Sequence, residues 1–307
     1  MEIREDSFIK IDNKYIRDND YILDKKELVL LILINTNLTV KNDCIFTIGY
    51  LMDMLDYSNN NKKIFSEIKE ILNLLSNDEI IQLYTDRRTK SILFDEGILN
   101  LSKNEFIYCD ATKLNNLNDN FTLLYDDELY ELLKLADTYH IDKFQLIQLF
   151  VFILSYINNN DDISNERDYL MCYPSFKTIS EYLGLSECTI EKYINILRNN
   201  KLLYSDYAGY KVLANGDVKN TNMYYCRYRD RERVINRINE ERKSGIISYS
   251  KLNRDKSNIK RKLKQIINKL TSKKEELTKE EILKLNLLNQ EYKKLAMWRY
   301  IPFRNVY

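Results

Sequence analysis

Two stretches of this chain follow one plan of residue types, and that internal repeat limits the fold more than any other feature. In residues 142–204, an apolar helix is expected from Phe144 to Ile157. After Cys172-Tyr173-Pro174 comes a short helix from Ser175 to Leu183, with Ile179 and Leu183 at i, i+4. Gly184-Leu185-Ser186 then makes a turn, Gly184 supplying the positive φ that closes one helix and Ser186 the side chain that caps the next. The second helix buries Ile190, Ile194 and Leu197 and ends near Asn199-Asn200. This is helix, tight turn, helix. Lys201–Tyr210 and Met223–Arg229, rich in tyrosine and aliphatic residues, flank Asn215-Gly216 and predict a β-hairpin.

The first half repeats the plan. Residues 27–37 match the apolar helix, Cys44-Ile45-Phe46-Thr47 stands for Cys172–Ser175, and Leu51 and Leu55 stand for Ile179 and Leu183. The next helix buries Ile64, Ile68, Ile71, Leu72 and Leu75 and leads into Ile80-Ile81 as Leu197 leads into Leu202-Leu203. Its turn, Asp56–Lys62, is longer and lacks the glycine. Its hairpin is expected to run Ile80–Tyr84 and Ser91–Phe94 around Asp86-Arg87-Arg88. The lead-ins Phe8–Ile11 and Phe121–Leu124 correspond as well.

Composition agrees with a helix-dominated chain. Six glycines and two prolines in 307 residues fall far below the usual combined share of about 12% and argue against turn-dense all-β folds. The same scarcity excludes chemistry. No glycine stands in a GxxxxGK[ST] phosphate loop or a GxGxxG turn. His140 is the lone histidine, which excludes zinc sites built on two or three histidines, and no GxSxG elbow partners it. It is expected to be structural. No catalytic constellation, cofactor or metal site is read. Cys44, Cys109, Cys172, Cys188 and Cys226 are odd in number and scattered without a CxxC, the pattern of a reducing cytoplasm. The N-terminal MEIREDSFIK has no apolar signal region, and the best apolar run, LVLLILI at 28–34, is too short for a membrane span.

The segment 144–228 resembles the winged helix-turn-helix family, in particular the variety with CYPS, LxxxLGxS and TI found in plasmid and phage replication proteins. The resemblance implies a mainly α protein with small β-hairpin wings (α+β), built as two tandem winged-helix domains plus a C-terminal helical hairpin. The expected boundaries are 1–119, 120–228 (helix-turn-helix 175–199, wing 202–228) and 229–307.

A recognition helix enters the major groove with its N-terminal part. With Ile190, Ile194 and Leu197 inward, a step of about 100° per residue places Cys188, Lys192, Asn195 and Asn199 on the opposite face, with Glu187, Glu191 and Arg198 beside it. Asn can read adenine, and Lys can reach guanine or phosphate. The candidate DNA contacts are Ser175, Lys177, Ser186, Cys188, Thr189, Lys192, Asn195, Arg198, Asn199, Lys211, Lys219, Arg227, Arg229 and Arg231. In the first half, Asn59, Lys63, Ser66, Glu70 and Asn73 point outward. Glu70, with Glu67 nearby, would repel phosphate, so that helix is as well suited to packing or dimerisation.

Net charge is +1, but it is unevenly placed. Residues 1–228 hold 25 Lys+Arg against 36 Asp+Glu, and residues 229–307 hold 22 against 10. An acidic body with a basic arm suits contact with phosphates. Within the arm, residues 229–243 form a basic helix. Ile259, Leu263, Ile266 and Leu270 then make a heptad-like stripe, and a capping box at Thr278–Glu281 starts a helix carrying Ile282, Leu285, Tyr292 and Leu295 and ending near Trp298. The expectation is a cytoplasmic, non-catalytic, sequence-specific binder of double-stranded DNA that forms homo-oligomers. As a replication initiator it would bind origin repeats and engage a host helicase or helicase loader. The alternatives are a transcriptional regulator and a protein-interaction adaptor.

Overall fold

The computed structural model describes residues 7–18, 20–39, 42–58, 60–86, 88–112, 120–157, 170–212, 218–243, 251–272 and 278–296. It is a mixed α+β structure with small antiparallel sheets. Among the described residues no helix is long and apolar enough to cross a membrane. By its contacts the chain divides into the unit Met1–Tyr207 with Asn222–Glu240 and a second unit, Ala208–Thr221 with Glu241–Tyr307.

In the first unit, strand β1 (Phe8–Asp12) and the short helix α1 (Lys14–Arg17) precede α2 (Lys25–Asn35), whose start Asp24 and Glu27 fix with a capping box. Every residue of α2 from Leu28 to Ile34 is buried, as an all-round apolar helix requires. Next come β2 (Asp43–Phe46), α3 (Ile48–Met54), α4 (Lys62–Asn77), β3 (Gln82–Tyr84), α5 (Asp95–Leu99) and β4 (Ile107–Asp110). The second half opens with β5 (Phe121–Tyr125) and α6 (Asp126–Thr138). The buried helix α7 (Lys143–Ser155) follows, capped by Asp142, then α8 (Phe176–Leu183), α9 (Glu187–Asn199), β6 (Leu203–Tyr207) and, after two intervening strands, β9 (Met223–Arg227).

The repeat holds in the backbone down to its register. Cys44, Cys109 and Leu83 stand side by side across β2, β4 and β3. Cys172, Tyr225 and Ser205 do so in the second half, through a bridge at Cys172 and the β6–β9 pair. Thr47 and Ser175, each three residues after its cysteine, cap α3 and α8. Ile80 N donates to Leu75 O and Leu202 N to Leu197 O, both at 3.0 Å, and the residues before them, Glu79 and Lys201, both take positive φ. Each helix is thus stopped by a left-handed residue without glycine.

Three expectations need correction. The first hairpin is more than the expected two segments: residues 91–93 do return on β3, through a bridge at Ile92 and bonds from Thr85 N to Ser91 O and from Leu93 N to Leu83 O, but β4, which the pattern did not place, pairs with β3 as well. Second, residue 119 does not divide two cores. One hydrophobic cluster runs through both halves because α2 and α7 pack on each other, and neither all-round apolar helix could be covered within its own half. Third, the body does not end at residue 228, since Val234 and Ile238 are buried.

The lead-in strands do more than correspond. β1 pairs antiparallel with β5, and Lys10 faces Leu123 at the middle of the ladder. These are equivalent positions of the repeat, so the halves meet about a local two-fold axis there.

In the second unit, β7 (Tyr210–Val212) pairs with β8 (Val218–Asn220), and α11 (Lys251–Thr271) packs against α12 (Lys279–Ala296). Helix α10 (Arg231–Lys243) leads into it. The expected capping box is present: Glu281 N donates to Thr278 Oγ1 and Thr278 N to Glu281 Oε2. Leu263 is buried, while Ile266 and Ile282 are exposed. Asn59, Arg87, Asn215, Gly216 and Trp298, and the side chains of Ile259, Tyr292 and Leu295, lie outside the described residues.

Candidate nucleic-acid interface

The site is built on the turn between α8 and α9. Ser175 Oγ accepts from Thr178 N at 3.0 Å and starts α8. Gly184 ends it at φ +63°, and a Cβ there would meet nothing within 4 Å. Only the backbone conformation therefore demands glycine, since a left-handed L-residue costs about 1–2 kcal/mol. Ser180 Oγ donates to Leu185 O at 2.7 Å and pins the turn, and Ser186 Oγ accepts from Thr189 N to start α9.

The amphipathic reading of α9 holds residue by residue. Ile190, Tyr193, Ile194, Ile196 and Leu197 are buried. Ser186, Glu187, Cys188, Glu191, Lys192, Asn195, Arg198 and Asn199 are exposed, and Thr189 is half-buried. Tyr193 Oη donates to Gln145 Oε1 at 3.0 Å, which ties α9 to the buried α7. Lys177 is exposed and pairs with Glu181 at 3.6 Å. On α9, Glu187, Glu191, Lys192 and Asn195 have no side-chain hydrogen bond or ion pair among the described residues. The face is polar, open and held by a fixed turn.

The other candidates separate. Arg227 is a correction: it is buried, its Nε 2.8 Å from Glu128 Oε1 and its Nη2 donating to Leu123 O. Both faces of β9 are buried from Tyr224 to Arg227, so no phosphate can reach it. Burial pushes the Glu128 carboxyl above its ordinary value against the opposing pull of Arg227. Arg229 is exposed and stacks on Tyr125, 4.1 Å from the ring centre, while Arg231 lies over Tyr228. Lys211 and Lys219 stand directly opposite each other on β7 and β8, in the second unit. His140 takes φ +49° just after α6, where Ile141 N bonds back to Ala136 O, the place of a helix stop.

In the first half α5 packs along the edge of the face equivalent to that of α9 and engages Lys69 and Asn77, while Ser66, Glu70 and Asn77 stay exposed. Lys69 Nζ donates to Leu99 O and lies over Phe65, and Asn77 Nδ2 donates to Asp95 Oδ1 at 3.1 Å. Sequence reasoning missed this packing. Its signal was Asp95-Glu96, two acids opening a helix just after Phe94.

Among the five cysteines, Cys188 is exposed and the other four are buried. Burial pushes the Cys172 thiol well above its ordinary value and that of Cys226 up to about 12. Since the thiolate is the nucleophile, a bulky alkylating reagent should modify Cys188 in the native protein and spare the rest until unfolding. Peptide mapping checks this, and native labelling of a buried cysteine ahead of Cys188 would contradict the placement of α9. No family model matches the chain, and no curated protein matches it either.

Proposed function

We propose that this chain is a sequence-specific binder of double-stranded DNA that acts without catalysis. Helices α8 and α9 serve as a helix-turn-helix and the β6–β9 hairpin as its wing. The observation that carries the reading is the open face of α9. Cys188, Lys192, Asn195 and Asn199 project from a helix whose N-terminal end is fixed by the Gly184 turn, and no other part of the described first unit covers them. In a tandem winged-helix protein the half with the open face would read DNA, and the half flanked by α5 would pack or dimerise. The resemblance to plasmid and phage replication proteins favours an initiator that binds origin repeats and engages a host helicase or its loader. A promoter-binding regulator would use the same contacts.

Two substitutions and the thiol test it. Asn195→Ala is expected to cost about 1–3 kcal/mol on the preferred site and little on random DNA, as a base contact would. Lys192→Ala is expected to weaken all duplexes alike, as a phosphate contact would. Bound DNA should shield Cys188 from the alkylating reagent. Competition shift assays with both duplexes give the losses, and no loss for either variant would take α9 out of the groove.

A further inference from the structure

The exposed face of α9 carries two carboxylates that no described residue neutralises. Glu187 and Glu191 stand at i, i+4, where like charges repel by a few tenths of a kcal/mol. Both are exposed, and neither has an ion pair among the described residues. The neighbouring helix differs, since α8 pairs its own charges, Lys177 with Glu181. The repeat supplies a second comparison. Aligning Leu75 with Leu197 puts Phe65 and Lys69 of α4 at the places of Glu187 and Glu191, and there the pair is engaged with itself and with α5. The duplicated helix thus has a half-buried, engaged cation where α9 has an open anion.

A carboxylate among phosphates is repelled unless it meets a hydrogen-bond donor. In the major groove the donors are the amino groups of cytosine and adenine, and an acidic side chain suits the cytosine amino group. By helical steps Glu191 lies about 40° from Asn195 and 60° from Cys188, inside the outward arc of the N-terminal turns, whereas Glu187 stands about 100° from Cys188 at its margin. Resting on the proposed reading of α9, we infer that Glu191 determines specificity by accepting a hydrogen bond from the amino group of a cytosine. Its charge would also lower affinity for DNA lacking that donor, so it selects against wrong sequences as well as for the right one.

The test enriches full-length protein on a pool of duplexes with a random centre and sequences what binds. Wild type, E191A and E191Q are compared. Wild type should enrich a motif with one fixed C·G pair that E191A alone relaxes, by roughly 5- to 150-fold, the usual range for one mismatched pair. E191Q should move the preference at that pair toward adenine, which glutamine can read. A motif unchanged in both variants would overturn the assignment, as would an equal loss at every position in E191Q, whose side chain keeps the same size. A wild-type protein that enriches no motif would instead remove the DNA reading itself, and that result appears before any variant is needed.

Discussion

Arg227→Ala is expected to destabilise the protein by about 3–5 kcal/mol while leaving the DNA affinity of the folded molecule unchanged. The guanidinium and the Glu128 carboxylate are both buried, and Glu128 also accepts from Tyr125 N. Removing one partner leaves an uncompensated charge in a medium that cannot solvate it. In a body of this size each kcal/mol shifts the midpoint of thermal unfolding by about 2–4 °C, so a fall of roughly 6–20 °C should be measured. Glu128→Ala should do the same. Replacing both at once with apolar residues of similar volume should recover most of the loss, because the cost lies in the orphaned charge and not in the missing attraction. A melting temperature within about 2 °C of wild type for Arg227→Ala, together with weaker DNA binding, would return Arg227 to the surface.

DNA affinity should fall steeply with salt. If several Lys and Arg side chains meet phosphates, the logarithm of affinity falls linearly with the logarithm of salt at about −0.9 per phosphate neutralised. A handful of contacts gives a slope of roughly −4 to −8, a loss of about 10²–10⁵ between 50 and 200 mM salt. Most of the basic excess lies beyond α10, since residues 244–307 hold 16 Lys+Arg against 6 Asp+Glu. Arg261, Lys262, Lys264 and Lys269 are all exposed on α11. Changing these four to glutamine in the full chain should flatten the slope by about 0.9 for each that touches a phosphate. An unchanged slope would remove the arm from the interface. Neutralising residues is a cleaner design than cutting the chain at 229, which would delete the buried Val234 and Ile238.

Much of the proposed interface was legible in the sequence because its determinants are local. The apolar spacing of Ile190, Ile194 and Leu197 decides which side of α9 is turned inward, and with it that Cys188, Lys192 and Asn195 are exposed. Gly184, Ser175 and Ser186 act on the residues next to them, so the turn and both caps could be read from neighbours alone. The duplication was legible for the same reason, since the same short-range pattern is written twice.

What the tertiary structure decided depends on partners remote in the chain. A basic residue at the end of a β-hairpin looks like a phosphate contact until Glu128, 99 residues earlier, is found beside it. The lead-in strands resemble each other in sequence, but that β1 pairs with β5, and that α2 and α7 share one core, follows only when two apolar surfaces too large for either half are buried together. Helix α5 packs on α4 by the same rule, through contacts that no window of residues contains. Periodicity determines which side of an element is apolar; the fold alone determines what that side, and each charge beside it, finally meets.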